Sequence, residues 1–149
     1  MPALCLRGAL VAVLLASGAS AACDRSKEPL TPTTPTVTEV TEPQFTGTLT
    51  INGGATQAFA VSNVGIITVT IADLQPNRAD ASLSIGVAIG TWNGTSCQLS
   101  GFPSLYNDNA GVGSGIAGYA NGSGNFCVRV YDIGQLTEPV AFKVNIKHY

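Results

Sequence analysis

The sequence predicts an all-β protein: a single antiparallel β-sandwich of seven or eight short strands, behind a signal peptide and a disordered tether. Three observations lead there. From Phe45 onward apolar and polar residues alternate with a period of two, and no stretch carries a helical period. Asn-Gly pairs at Asn52, Asn93 and Asn121 punctuate the alternating runs. The chain is poor in charge, with 7 Lys and Arg against 9 Asp and Glu, and rich in glycine, with 17. That balance leaves no basic stripe, so nucleic acid is not an expected partner.

The first segment, residues 1–22, has the layout of an export signal. Arg7 supplies a positive start, Ala9–Ala16 an apolar run, and Ser17–Ala22 a zone of small residues. The run falls short of the ~20 apolar residues a transmembrane helix needs. Residues 23–43 follow as a tether. Asp24–Pro43 is dominated by Pro, Thr and charged residues and lacks the apolar surface to fold. Proline-rich chain of this kind extends by about 3.1 Å per residue. Residues 44–149 form the domain.

Its strands are expected in this order. Phe45–Ile51 turns Phe45, Leu49 and Ile51 inward against three outward threonines, and Asn52-Gly53-Gly54 then makes a hairpin turn. Thr56–Ser62 returns with Phe59 and Val61 inward. Gly65–Leu74 buries Ile67, Val69 and Ile71, and Ala81–Gly90 buries Leu83, Ile85, Val87 and Ile89. A short segment runs around Cys97–Leu99, and Gly101–Gly115 is read as a long loop. Ile116–Ala120 is a weak strand. In Asn125–Asp132, Arg129 must face water, so Phe126, Val128 and Val130 face in and Cys127 shares the outer face. Pro139–His148 buries Val140, Phe142, Val144 and Ile146, and leaves His148 at a frayed end. Short strands with frequent turns give a sandwich.

Four cysteines divide by position. Cys5 is lost with the signal. Cys97 and Cys127 are an even pair in an exported domain and read as one disulfide on the solvent side of the sheet, with two free thiols as the alternative. No His or third Cys stands near either in sequence, which disfavours a metal site. Cys23 stands at the boundary. Ser20-Ala21-Ala22-Cys23 resembles a bacterial lipobox, with Ser20 where Leu is usual; ordinary signal cleavage at the same small residues is the alternative. A long tether is useful to an anchored protein, which favours lipid on Cys23. A multiply acylated cysteine anchors stably, whereas one chain does so only marginally. The membrane is then a partner through that lipid, and the location is the bacterial cell envelope; secretion is the alternative.

The stretches "GTL" (Gly47–Leu49), "AFAV" (Ala58–Val61), "GIITVTI" (Gly65–Ile71), "RADASLSI" (Arg78–Ile85) and "FCVRVYDIG...EPVAFKVNI" (Phe126–Ile146) together resemble the bacterial pre-peptidase C-terminal type of domain. The resemblance spans most of Phe45–Tyr149. It implies a jelly-roll-like sandwich that accompanies secreted enzymes, aids binding or export, and is not itself catalytic. Here signal, tether and sandwich account for every residue. Gln57 stands where members often carry an acidic residue, which argues against a carried-over metal role.

No catalytic set emerges. His148 is the only histidine, and the carboxylates are scattered at strand ends and in loops, where Asp commonly serves turns. No enzyme activity and no cofactor are expected. A calcium ion would find oxygen donors around Asp80 or Asn107-Asp108-Asn109, though neither lies in a spaced acidic loop. Trp92, Phe102 and Tyr106 are aromatic residues read as lying on loops, where they either cap the core or contact a ligand. The sequence therefore predicts a non-catalytic lipoprotein presenting a binding or structural module. Its partner would be a polysaccharide or an envelope protein; a carbohydrate-binding module, or an accessory or inhibitor of secreted enzymes, is the second reading.

Overall fold

The computed structural model describes residues 36–76, 83–99 and 105–149. The signal segment, Cys23, the tether to residue 35, Asp80 and Phe102 lie outside the described residues. The strands are β1 (Val40–Thr41), β2 (Phe45–Leu49), β3 (Gly54–Val61), β4 (Gly65–Gln75), β5 (Ile85–Trp92), β6 (Cys97–Gln98), β7 (Tyr106–Ala110), β8 (Gly115–Ala120), β9 (Gly124–Tyr131) and β10 (Val140–His148).

They form two five-stranded antiparallel sheets. In the first, β10 is flanked on one side by β1 and β2 and on the other by β4, with β8 beyond. In the second, β5 is flanked on one side by β6 and β7 and on the other by β9, with β3 beyond. The inner faces meet in one core containing Ile67, Val69, Ile71, Val144 and Ile146 from the first sheet and Ile85, Val87, Ile89, Val128 and Val130 from the second. Each such side chain contributes roughly 1.5–3 kcal/mol on burial. Phe45 meets Phe142 edge to face, with ring centroids 5.0 Å apart.

Ten strands are described rather than the expected seven or eight, and two of them lie where no strand was expected. Tyr106–Ala110, inside the expected long loop, is β7; its sequence YNDNA has no apolar alternation because it lies at the sheet margin beside β5. Val40–Thr41, inside the expected tether, pairs with Lys147 and His148 of β10. The Asn52 turn is also not a hairpin. Gly53 N–H donates to Thr50 C=O at 2.8 Å and Asn52 takes φ 54°, but β2 goes to the first sheet and β3 to the second. Ile51 therefore sits in the corner, 48% exposed, rather than in the core. Asn93-Gly94 does make a hairpin, between β5 and β6.

Asp132 ties two corners together. It accepts the Asn52 N–H through Oδ2 and those of Gly134, Gln135 and Leu136 through Oδ1. Burial acts to raise its pKa, but the four donors prevail and hold it below the usual carboxylate range.

Two expectations about faces need correction. Cys97 and Cys127 are joined, with Cα atoms 5.7 Å apart, and Cys127 does lie on the outer face of its sheet. It is nevertheless 0% exposed. The bond runs between β6 and β9, which flank β5 on opposite sides, so the β6 segment must cross over β5. It does so at Gly90, the residue paired with Cys127, where an added Cβ would stand 2.5 Å from the Gln98 carbonyl oxygen. His148 is likewise not frayed. It is 3% exposed, its ring stacks on Phe59 at 5.5 Å, and Nε2 lies 2.9 Å from Glu42 Oε1.

Two outcomes follow. Gly90→Val removes the room for β6, so oxidative refolding should leave Cys97 and Cys127 titratable with a thiol reagent; complete pairing would show that β6 needs no such space. Glu42→Ala strips a buried imidazole nitrogen of its partner, and urea unfolding should show a loss of about 1–3 kcal/mol.

Candidate functional site

The outer face of β5 is lined by small residues. Gly86, Ala88 and Gly90 pair in register with Tyr131, Arg129 and Cys127 of β9. Period two places all six on one face, and Ala88 and both glycines are buried. Larger neighbours must therefore cover this strand from its sides.

Tyr131 does so at Gly86. A Cβ at Gly86 would overlap Cε2, Cζ and Cδ2 of the Tyr131 ring, so the ring lies directly over the strand. Its hydroxyl reaches Asp108 on the far side and donates a hydrogen bond to Asp108 Oδ1. Asp108 is positioned by an irregularity in the β5–β7 pairing. Two steps along β5, from Ile85 to Val87, match three along β7, from Ala110 to Asn107. The extra residue is the mark of a bulge, which re-aims side chains locally. Asn107 Oδ1 accepts the Asn109 N–H at 2.9 Å and shapes the same region. Burial first, and then the Asp108 carboxylate, push the Tyr131 phenol up to about 12.

Beside this ring is an open groove of about 360 Å³, lined by Ala88, Ile89, Leu99, Leu105, Tyr106, Asp108 and Tyr131. Tyr106 pairs with Ala88 and is 56% exposed. Tyr106 is thus on a strand at the groove rather than on a loop. Trp92 is also on a strand, half-buried at the end of β5 and opposite Cys97. It lies four residues from Ala88, about 13 Å along the strand, and is not among the groove-lining residues. Phe102 lies outside the described residues. Of the three aromatics singled out in the sequence, Tyr106 is the one placed at the groove.

Tyr131 and Leu99 were not singled out from the sequence, and Asp108 was singled out only as an oxygen donor for calcium. A signal for Tyr131 existed: Arg129 faces water, and Tyr131, two residues on, must share its face. The contact of Asp108 with Tyr131 had no comparable signal, because the bulge that aims it is a property of the pairing.

A second polar groove, about 370 Å³, crosses the outer face of the first sheet among Thr46, Thr48, Asp73 and Lys143. Hydrogen bonds from Gln75 and Lys143 lower the Asp73 pKa. Among the described residues no three or more His, Cys, Asp or Glu side chains cluster closely enough to hold a metal ion. His148 directs its two ring nitrogens toward Glu42 and the Tyr149 carbonyl, a contact that joins the chain's two ends in the domain.

Compared with known proteins, the chain matches no family model and no curated protein.

The phenol contact has a pH signature. An unfolded tyrosine titrates near pH 10; Tyr131 in the folded state titrates near 12. Its contribution to stability is therefore fully present below about pH 10 and is lost as pH rises toward 12. Denaturant midpoints should fall across that window, and the fall should be shallower in Tyr131→Phe. An identical slope in that variant would mean the hydroxyl is not held by Asp108.

Proposed function

We propose that this protein is a non-catalytic lipoprotein of the bacterial cell envelope that presents its β-sandwich as a binding module. The observation that carries the binding role is the groove on the outer face of β5, where Tyr106, Tyr131 and Asp108 meet over a floor of small residues. Ala88, Ile89, Tyr106, Asp108 and Tyr131 of its lining sit on hydrogen-bonded strands, which hold that part of the surface in one shape before any partner arrives. The anchoring role rests on the sequence: an export-like segment, then small residues and Cys23, then a Pro/Thr tether. The resemblance to the pre-peptidase C-terminal type of domain supports the same reading, because that family is a non-catalytic companion of exported proteins.

A polysaccharide is the second reading of the partner, ahead of an envelope protein or a secreted enzyme. The exposed ring of Tyr106 beside a carboxylate favours it, since sugars present both apolar faces and hydroxyls.

The anchoring half is tested by the intact mass of the mature protein recovered from membranes. The wild type should carry a diacylglyceryl group and an acyl chain on Cys23. Cys23→Ser should be unprocessed or released. A soluble, unmodified wild type would replace this reading with ordinary secretion.

A further inference from the structure

We propose that Tyr131, held flat over Gly86, is a stacking platform for a pyranose ring whose hydroxyls are equatorial, as in glucose or N-acetylglucosamine units of a β-linked glycan. The inference rests on the binding-module reading and adds the ligand class and the residues that select it.

An aromatic side chain stacks on a sugar when one ring face is free and the ring is held still. Tyr131 has its ring laid on the β5 backbone at Gly86, where any Cβ would overlap it, and the side chain is only partly buried and lines the groove. The ring is fixed at its base by β9, where Tyr131 pairs with both Gly86 and Gly54, and at its tip by the bond from its hydroxyl to Asp108. Little rotamer freedom is then left to lose on binding.

The rest of the groove matches an amphipathic disc. Pyranoses with equatorial hydroxyls present axial C–H groups as a flat apolar face, which suits an aromatic ring. Their hydroxyls project from the rim. Asp108 uses Oδ1 for Tyr131, and a carboxylate has further acceptor sites for such a hydroxyl. Tyr106 supplies a second ring on the same face, and Leu99 and Leu105 supply apolar walls. The volume of about 360 Å³ lies within the range of about 300–1,000 Å³ found for small-ligand sites.

The test uses the detergent-solubilised full-length protein. Retention is measured on insoluble cellulose and chitin, with soluble β-linked glucose and N-acetylglucosamine oligosaccharides as competitors. Wild type should be retained on cellulose or chitin and competed off by the matching oligosaccharide. Gly86→Ala, which displaces the ring, and Tyr131→Leu, which removes it, should each cut retention at least tenfold. Tyr106→Ala changes an exposed side chain and should weaken retention while leaving the urea midpoint in place, so it covers the case in which a β5 or β9 variant fails to fold. No wild-type retention on either polymer overturns the proposal, as does retention unaffected in folded variants. Those outcomes leave the mass of the Cys23 species untouched, so failure of the sugar assignment and failure of the anchored-module reading are read separately.

Discussion

Strand β5 must be covered on both faces, and much of the second sheet is arranged around that requirement. Its inner residues Ile85, Val87 and Ile89 pack into the core in the ordinary way. Its outer residues are Gly86, Ala88 and Gly90, which have almost no side chain with which to cover themselves. Neighbours close over them instead. Tyr131 crosses at Gly86, and the β6 segment with its disulfide crosses at Gly90. Between these two crossings lies Ala88, on the floor of the groove. The groove is thus the gap between two covers that the small residues permit.

The chain's entry is secured on the first sheet. Thr41 and Val40 pair with Lys147 and His148, and Glu42 reaches His148 from the same segment. The His148 ring stacks on Phe59, which stacks on Phe126 at 6.3 Å. Phe59 and Phe126 belong to the second sheet and His148 to the first, so the stack links both layers. Glu39 adds a 2.7 Å contact with Lys147 and holds that ammonium's pKa above its usual value. A tether leaving this point would start from a fixed place on the sandwich.

Most connections in the chain cross between the sheets. β2 to β3, β3 to β4, β4 to β5, β7 to β8, β8 to β9 and β9 to β10 all switch layers. Hairpins within a layer are therefore scarce, and most pairings join residues far apart in sequence. Such topologies form slowly, because loop closure precedes the contacts that reward it. The disulfide closes a separation of 30 residues, and in the chain-entropy account such a link contributes about 3–4 kcal/mol.

The amino-acid sequence by itself determined which residues face inward. Alternation placed Phe59, Val69, Val87, Val128 and Val144 correctly, because side chains on a strand point to opposite faces in turn and burial selects the apolar set. It pointed to the sandwich class through the same alternation, and to the Cys97–Cys127 pair through the count of cysteines left in an exported domain. It did not determine which strands are neighbours. An Asn-Gly turn reads alike whether the chain folds back into one sheet, as after Trp92, or turns the corner to the other, as after Leu49. Nor does face parity by itself reveal what meets solvent: Cys127, on the outer face, is covered by the β6 segment, and His148, on the inner face at the end of its strand, is covered by Phe59 and Glu42. Tyr131 over Gly86, the bulge that aims Asp108, and the pairing of Val40–Thr41 with the last strand were decided only in the tertiary structure. Each depends on contacts between residues distant in sequence, and local periodicity carries no record of those.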